Sequence, residues 1–241
     1  MGVQINCDMG ESFGLYRCGD DEGLMPFIHI ANVACGFHAS DPVVMRKTVA
    51  LAARHGVAVG AHPSFPDLQG FGRREMKMGR DELSAALLYQ IGALKGFLDV
   101  AKLPLNHIKP HGALYGAAAC NAEVAEAIAD AAESFGVPVL GMAGTHHETV
   151  YKARGLAFMA EYYVDLDYDA EGRLIITREH DAKDPAEAAR RAVRVMEEGV
   201  ATSIDGHEFA MRADCVCVHS DTPNAVDLAS AVHTALRPWF G

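Results

Sequence analysis

The stretch Val57-Ala58-Val59-Gly60-Ala61-His62 is a short apolar run that ends on an ionisable residue and then turns. Four others end in the same manner: Val3-Gln4-Ile5-Asn6-Cys7-Asp8, Ala31-Asn32-Val33-Ala34-Cys35-Gly36-Phe37-His38, His107-Ile108-Lys109-Pro110-His111 and Cys215-Val216-Cys217-Val218-His219. Helix-like stretches separate most of them. Strand-then-helix repetition with polar chemistry at each strand's carboxyl end predicts an α/β fold of the (β/α) barrel kind, which gathers distant residues into one mouth.

Side-chain alternation sharpens this reading. Strand residues point to two faces in turn. Asn6 with Asp8, Gly36 with His38, Gly60 with His62, Lys109 with His111 and Cys217 with His219 then share one face. Ile5, Cys7, Val33, Cys35, Val57, Val59, Ile108, Val216 and Val218 take the other. In a barrel the apolar set packs on outer helices and the polar set points to the axis. Gly36 and Gly60, one step below their histidines, predict room beneath the mouth for a ligand.

A chain of 241 residues is long enough for one sizeable core, and a single (β/α)-barrel domain over 1–241 is expected. The formal net charge of -11 argues against a nucleic-acid partner, which needs clustered Lys and Arg. No basic segment followed by an apolar core opens the sequence, and no apolar run approaches the roughly 20 residues of a membrane helix. A cytoplasmic location without membrane contact is the simplest expectation. Of the six cysteines, Cys7, Cys35, Cys215 and Cys217 lie within predicted strands, where reduced thiols behave as small hydrophobes.

Helix starts are legible at Asp41-Pro42, Asp184-Pro185 and Thr222-Pro223, each a capping side chain before a proline at the first helical position. Asp184 with Glu187 has capping-box spacing. From Asp81, the residues Leu83, Leu87, Leu88, Ile91, Leu94 and Leu98 form a helical apolar stripe, and a second helix is expected over 121–135 with Gly136 as its stop. Between Glu161 and Glu179 the pattern changes to extended segments around Glu171-Gly172, an excursion that is either a lid or an edge hairpin.

The chemistry converges on Asp8, His38, His62, Lys109 and His111, the catalytic candidates. Glu11, Asp41 and Asp221 follow strand ends at distances that suit orienting a ring or acting beside it as acid or base, and Asp41 and Thr222 also read as helix caps. His29, His55, His146, His147, His180, His207 and His233 lack a strand-end setting and read as surface or packing residues. Asp8, His38 and His62 are the metal candidates, although Lys109 would compete with a cation. No Gly-x-x-x-x-Gly-Lys-Ser/Thr is present, and Gly70-Phe71-Gly72-Arg73-Arg74 completes no dinucleotide fingerprint, so no nucleotide site is recognisable in this chain.

Longer motifs carry a resemblance. Asn6-Cys7-Asp8-Met9-Gly10-Glu11-Ser12-Phe13-Gly14, Gly60-Ala61-His62-Pro63-Ser64-Phe65-Pro66-Asp67, Lys109-Pro110-His111-Gly112-Ala113-Leu114-Tyr115 and Cys217-Val218-His219-Ser220-Asp221-Thr222-Pro223 strongly resemble the LamB/YcsF family, as do the stretches around His38 and Arg73. That family contains the A component of the bacterial ATP-dependent 5-oxoprolinase. The resemblance implies a distorted barrel of the glycoside hydrolase/deacetylase type with fewer than eight strands, seven being the expected number. It implies hydrolytic opening of the lactam 5-oxoproline to glutamate, with ATP as co-substrate alongside magnesium, and with partner subunits B and C.

On that chemistry, Asp8 or a neighbouring histidine directs water, another histidine protonates the departing nitrogen, and Lys109 stabilises an oxyanion or phosphoryl group. Arg73 holds the substrate carboxylate, with Asn6, Glu11, Asp41, His219 and Asp221 as further substrate contacts. The chain departs from the family where Ser220 replaces a glycine, where Leu166 stands in place of an arginine, and where Thr177-Arg178 replaces Pro-Arg. These departures bear on the substrate more than on the reaction class. The alternatives are an ATP-coupled hydrolase of a different lactam, a metal-dependent amide deacetylase, and a non-catalytic lactam-binding protein.

Overall fold

The computed structural model describes residues 2–177 and 179–241; Arg178 therefore lies outside the described residues. The strands in chain order are β1 (Gln4–Met9), β2 (Ile30–Ala34), β3 (Ala58–His62), β4 (Leu105–Ile108), β5 (Val139–Gly141), β6 (Phe158–Tyr163), β7 (Asp167–Tyr168), β8 (Leu174–Ile175), β9 (Val200–Thr202), β10 (Glu208–Ala210) and β11 (Cys215–Val218). The helices are α1 (Asp21–Leu24), α2 (Pro42–His55), α3 (Arg80–Ala101), α4 (Gly112–Cys120), α5 (Ala122–Glu133), α6 (His146–Ala153), α7 (Pro185–Glu198) and α8 (Ala225–Leu236). Seven strands close a barrel in the order β1-β11-β6-β5-β4-β3-β2, every pairing parallel, as the family resemblance led us to expect.

Register places the polar layer. Asn6 pairs with Cys217, Asp8 with Asn32, Asn32 with Gly60 and Cys217 with Tyr163, so these positions share the inner face. The outward set, including Ile5, Val33, Val59, Ile108 and Val216, joins the main core between strands and helices. A second, smaller cluster of Ile30, Leu140 and Cys215, backed by Ala58 and Met159, lies near the strands' amino ends and plugs the barrel below the polar layer. Apolar filling below and polar residues above leave one end of the barrel for chemistry.

Alternation holds only as far as the strands run. β2 stops at Ala34, and positive φ at Gly36 (93°) and Ser40 (74°) breaks the extended path, so His38 reaches the mouth through a turn. β4 stops at Ile108, and His111 is the residue that precedes α4. The expected room under Gly60 is filled from within. A Cβ there would collide with the ring of His107, whose imidazole occupies the space a ligand was expected to use.

Asp41 and Asp184 cap α2 and α7 as read, Asp41 accepting from Val43 and Val44 and Asp184 from Ala186. Thr222 does not cap α8: that helix begins at Ala225, and the Thr222 hydroxyl donates to Asp165 Oδ2 instead. α3 alone among the described helices has the length and apolarity to cross a membrane. Its Leu83, Leu87, Ile91, Leu94 and Leu98 are buried in the core, whereas Leu88 faces outward. Cys7, Cys35, Cys215 and Cys217 are buried free thiols. The excursion after β6 forms the antiparallel hairpin β7–β8, tied down where Arg191 donates to the carbonyls of Val164 and Leu166.

Candidate active site

The floor of the mouth is an amide network. Asn32 Nδ2 donates to Asn6 Oδ1 at 2.7 Å and to Asp8 Oδ1 at 2.8 Å, while Asn32 Oδ1 accepts from His107 Nε2 at 2.6 Å. Burial lowers the proton affinity of His107 to a pKa of about 3, so it serves as a neutral donor. Because every member is buried, this network fixes the Asp8 carboxylate from below.

Lys109 stands at the centre, 1% exposed, with its ammonium 2.9 Å from Asp8 Oδ1, 3.0 Å from Glu161 Oε1, 3.0 Å from Cys217 Sγ and 3.2 Å from Asn6 Oδ1. Burial would drive it towards neutrality, but Asp8 above all, with Cys217 and Glu161, holds its pKa well above the ordinary value. Burial likewise pushes Asp8 up, yet His62 and Lys109 outweigh it and keep the carboxyl well below the usual range. Tyr163 donates to Glu161 Oε2 at 2.8 Å and carries its ring beneath the Lys109 ammonium.

Three histidines and Glu11 crowd one side of Asp8. His62 Nδ1–H donates to the Lys109 carbonyl at 2.8 Å, and His111 Nε2–H donates to the Phe71 carbonyl at 2.8 Å. Their remaining nitrogens, His62 Nε2 and His111 Nδ1, face each other at 2.9 Å. His62 Nε2 also lies 3.2 Å from Asp8 Oδ2. His38 stacks on His111 with ring centroids 3.8 Å apart and meets Glu11 Oε1 through Nε2 at 3.0 Å. Burial, then the neighbouring histidines, lowers the pKa of His38 and His111 well below the ordinary value. Burial, with Asp8 and Asp221 nearby, pushes Glu11 up.

The opposite side carries an acid–base pair. His219 Nδ1–H donates to Asp165 Oδ1 at 3.0 Å, and its backbone N–H donates to Asp165 Oδ2 at 2.7 Å, leaving Nε2 3.7 Å from Asp8 Oδ2. Burial alone would lower the pKa of His219; Asp165 and then Asp8 overcome it and raise the value. At the rim Arg73 pairs with Asp221 Oδ2 at 2.8 Å, and His180 pairs with Asp221 Oδ1 at 3.1 Å. Burial opposes ionisation of Asp221, but His180 and Arg73 hold its pKa down. Asp8, His62, Lys109, His111, Arg73 and His219, with Leu166, Leu174 and Ile176 at the hairpin, line a partly open cavity of about 20 Å³, room for about one water.

Of the residues singled out from sequence, Asp8, Arg73, His62, Lys109, His111 and His219 line this cavity, and His38, Glu11 and Asp221 pack directly behind it. Asn6 lies beneath, committed to Lys109 and Asn32. Asp41 stays outside the cavity, occupied with α2 and with Gly14 N–H at 2.8 Å. His180, read from sequence as a surface or packing residue, is instead a rim residue that lines the cavity. Sequence reasoning misses Glu161 and Asp165, which sit where the excursion starts. A carboxylate inside Phe158–Tyr163, at the same parity as Tyr163, is the available signal for Glu161.

The LamB/YcsF family pattern matches residues 3–238. A protein of Thermus thermophilus, named as the A component of 5-oxoprolinase, is 47% identical over 241 residues, covering 98% of this chain and 96% of that protein. The lactam utilization protein lamB of Emericella nidulans is 45% identical over 228 residues, 93% of this chain and 90% of that one. The crystal structure of a lactam utilization protein from Thermus thermophilus overlays with a TM-score of 0.91 at 46% identity, covering 99% of this chain and 97% of the other. The motifs that furnish Asp8, His38, His62, Lys109, His111 and His219 thus sit in a fold and a sequence shared from end to end, and the chain belongs to the LamB/YcsF family.

Proposed function

We propose that this chain is component A of an ATP-dependent 5-oxoprolinase that hydrolytically opens the lactam of 5-oxo-L-proline to L-glutamate, acting in the cytoplasm with partner subunits B and C. The observation that carries this reading is the match over 98% of the chain to a protein named as that component. The mouth supplies groups suited to the chemistry.

A five-membered lactam is an unreactive amide, and phosphorylation of its oxygen by ATP, with magnesium, makes the carbonyl carbon electrophilic. This chain's sequence has no phosphate-cradling loop, so partner subunits handle the nucleotide in this scheme. Asp8 Oδ2 then takes a proton from water as its oxygen bonds to that carbon. The ring C–N bond breaks as His219 Nε2 gives its proton to the nitrogen. Hydrolysis of the resulting γ-glutamyl phosphate uses a second water and yields glutamate and phosphate. Lys109, surrounded by four acceptors for its three N–H groups, keeps Asp8 ionised rather than meeting the substrate itself. Arg73 receives the substrate carboxylate in exchange for Asp221, which retains His180. A cavity of about 20 Å³ cannot admit the lactam, so the β7–β8 hairpin and the Arg73–Asp221 contact move on binding.

A second reading, a different lactam as substrate, is favoured by one observation: Leu166 lines the cavity where the family pattern has an arginine. Glutamate formation from 5-oxoproline by this chain with candidate B and C subunits, ATP present or omitted, separates the two. ATP-dependent glutamate that disappears when this chain is left out is the expected result. An assembled complex that makes none, but turns over another lactam, supports the second reading.

A further inference from the structure

His62 and His111 pose a valence problem that the reaction scheme leaves unused. Carbonyl oxygens only accept, so His62 Nδ1 and His111 Nε2 both carry hydrogen. In neutral rings the two remaining nitrogens are then both lone pairs, and they face each other at 2.9 Å. Two lone pairs at that distance repel unless a cation lies between or beside them. Glu11 Oε1 adds a third donor, 3.5 Å from His111 Nδ1, and His38 Nε2 a fourth, 3.0 Å from Glu11 Oε1. All four donor atoms fall within 4.8 Å of one another, and all four residues are buried.

We propose that Glu11, His38, His62 and His111 form a binding site for a divalent transition-metal ion of the zinc class. Donor atoms about 2.0–2.1 Å from a tetrahedral ion stand about 3.3 Å apart. The separations of 2.9, 3.0 and 3.5 Å bracket that spacing. His62 and His111 each give the second ring N–H to a backbone carbonyl, the outer bond that fixes a ligating imidazole's tautomer and orientation. His38 Nδ1 is buried without a hydrogen-bond partner among the described residues, so no contact prevents the neutral ring from carrying its hydrogen there and offering the Nε2 lone pair to the ion. Three imidazoles and one carboxylate suit zinc-like ions better than calcium or magnesium.

Charge points the same way. Among the described residues, Asp8, Glu11, Glu161, Asp165 and Asp221 converge on the mouth against Lys109, Arg73 and a protonated His219. The Lys109 ammonium is engaged by Asp8 Oδ1 and Glu161, whereas His62 Nε2 meets the other oxygen of Asp8, Oδ2. This inference stands apart from the proposed lactam chemistry, since its test needs neither substrate nor partners.

The test is titration of chelator-treated, full-length protein with zinc, followed by calorimetry and metal analysis after desalting. About one retained ion per chain, with a Kd in the micromolar range or tighter, is expected. His62→Gln and His111→Gln should each weaken binding by about 100-fold. His219→Gln, which belongs to a separate Asp8–Cys217–His219 grouping, should leave it within a few-fold. Cobalt loading of the wild-type chain gives a readout independent of variant folding, because a four-coordinate ion absorbs strongly in the visible. Wild-type protein that retains no zinc and shows no such band overturns the proposal and leaves a proton shared by His62 and His111 as the cation. Loss of binding in His219→Gln with retention in His111→Gln also overturns it.

Discussion

Asp8→Asn should reduce turnover of the assembled enzyme by about 10³-fold while leaving the fold intact. The side chain keeps its shape, and its Oδ1 still accepts from Asn32 and Lys109. Lys109 keeps Glu161 as counter-ion, so no buried charge is stranded. What disappears is the anionic oxygen between His62 and His219, 3.2 and 3.7 Å away, which lines the cavity and is held ionised by a lysine. Glutamate formation measures the first expectation and a thermal melt the second. A variant that melts normally and turns over at the wild-type rate would remove Asp8 from the mechanism.

Lys109→Met should act on stability. Methionine matches the lysine stem in bulk, but it leaves Asp8 and Glu161 at 2% and 0% exposure without their ammonium. Removing one partner of a buried ion pair typically costs about 3–5 kcal/mol. Urea denaturation near neutral pH should show a loss of that size. The pH dependence has a definite sign. In the wild type Asp8 is held below its ordinary value, so its stabilisation is present above an unfolded pKa of about 3.9 and is lost as pH falls through the depressed folded value. Without Lys109 the folded pKa of Asp8 rises, the carboxyl takes up a proton sooner, and the deficit should shrink as pH falls towards about 5. A deficit that is constant with pH would indicate lost packing rather than an uncompensated charge.

These two residues are readable from sequence because each occupies the end of an apolar run, where a barrel displays its chemistry. The same reading locates β1, β3 and β11 and places Asn6 and Asp8 on the inner face, but not Asn32 or His107, the other two members of the floor. It falters where the backbone leaves the strand. His38 and His111 arrive through turns, so alternation names them for a reason the geometry does not share. β5 is three residues long and ends in glycine, with no polar marker, while β6 carries its glutamate in mid-strand rather than at the tip. That is why Glu161, the second counter-ion of Lys109, escapes a search of strand ends. Asp165 and His180 come to the mouth only because the segment after β6 folds back over the barrel, and no local periodicity encodes such a return. The space beneath Gly60 is a fair inference from a missing side chain, but a distant histidine fills it.

The measurement that tests the account most directly is a crystal structure of this chain with L-glutamate bound. Opening of the lactam at the mouth predicts glutamate within the barrel, its α-carboxylate on Arg73 in place of Asp221, its amine near His219, and the β7–β8 hairpin displaced to admit it. Glutamate bound elsewhere, with the Arg73–Asp221–His180 contacts and the small cavity unchanged at saturating ligand, would contradict the assignment of ring opening to this site.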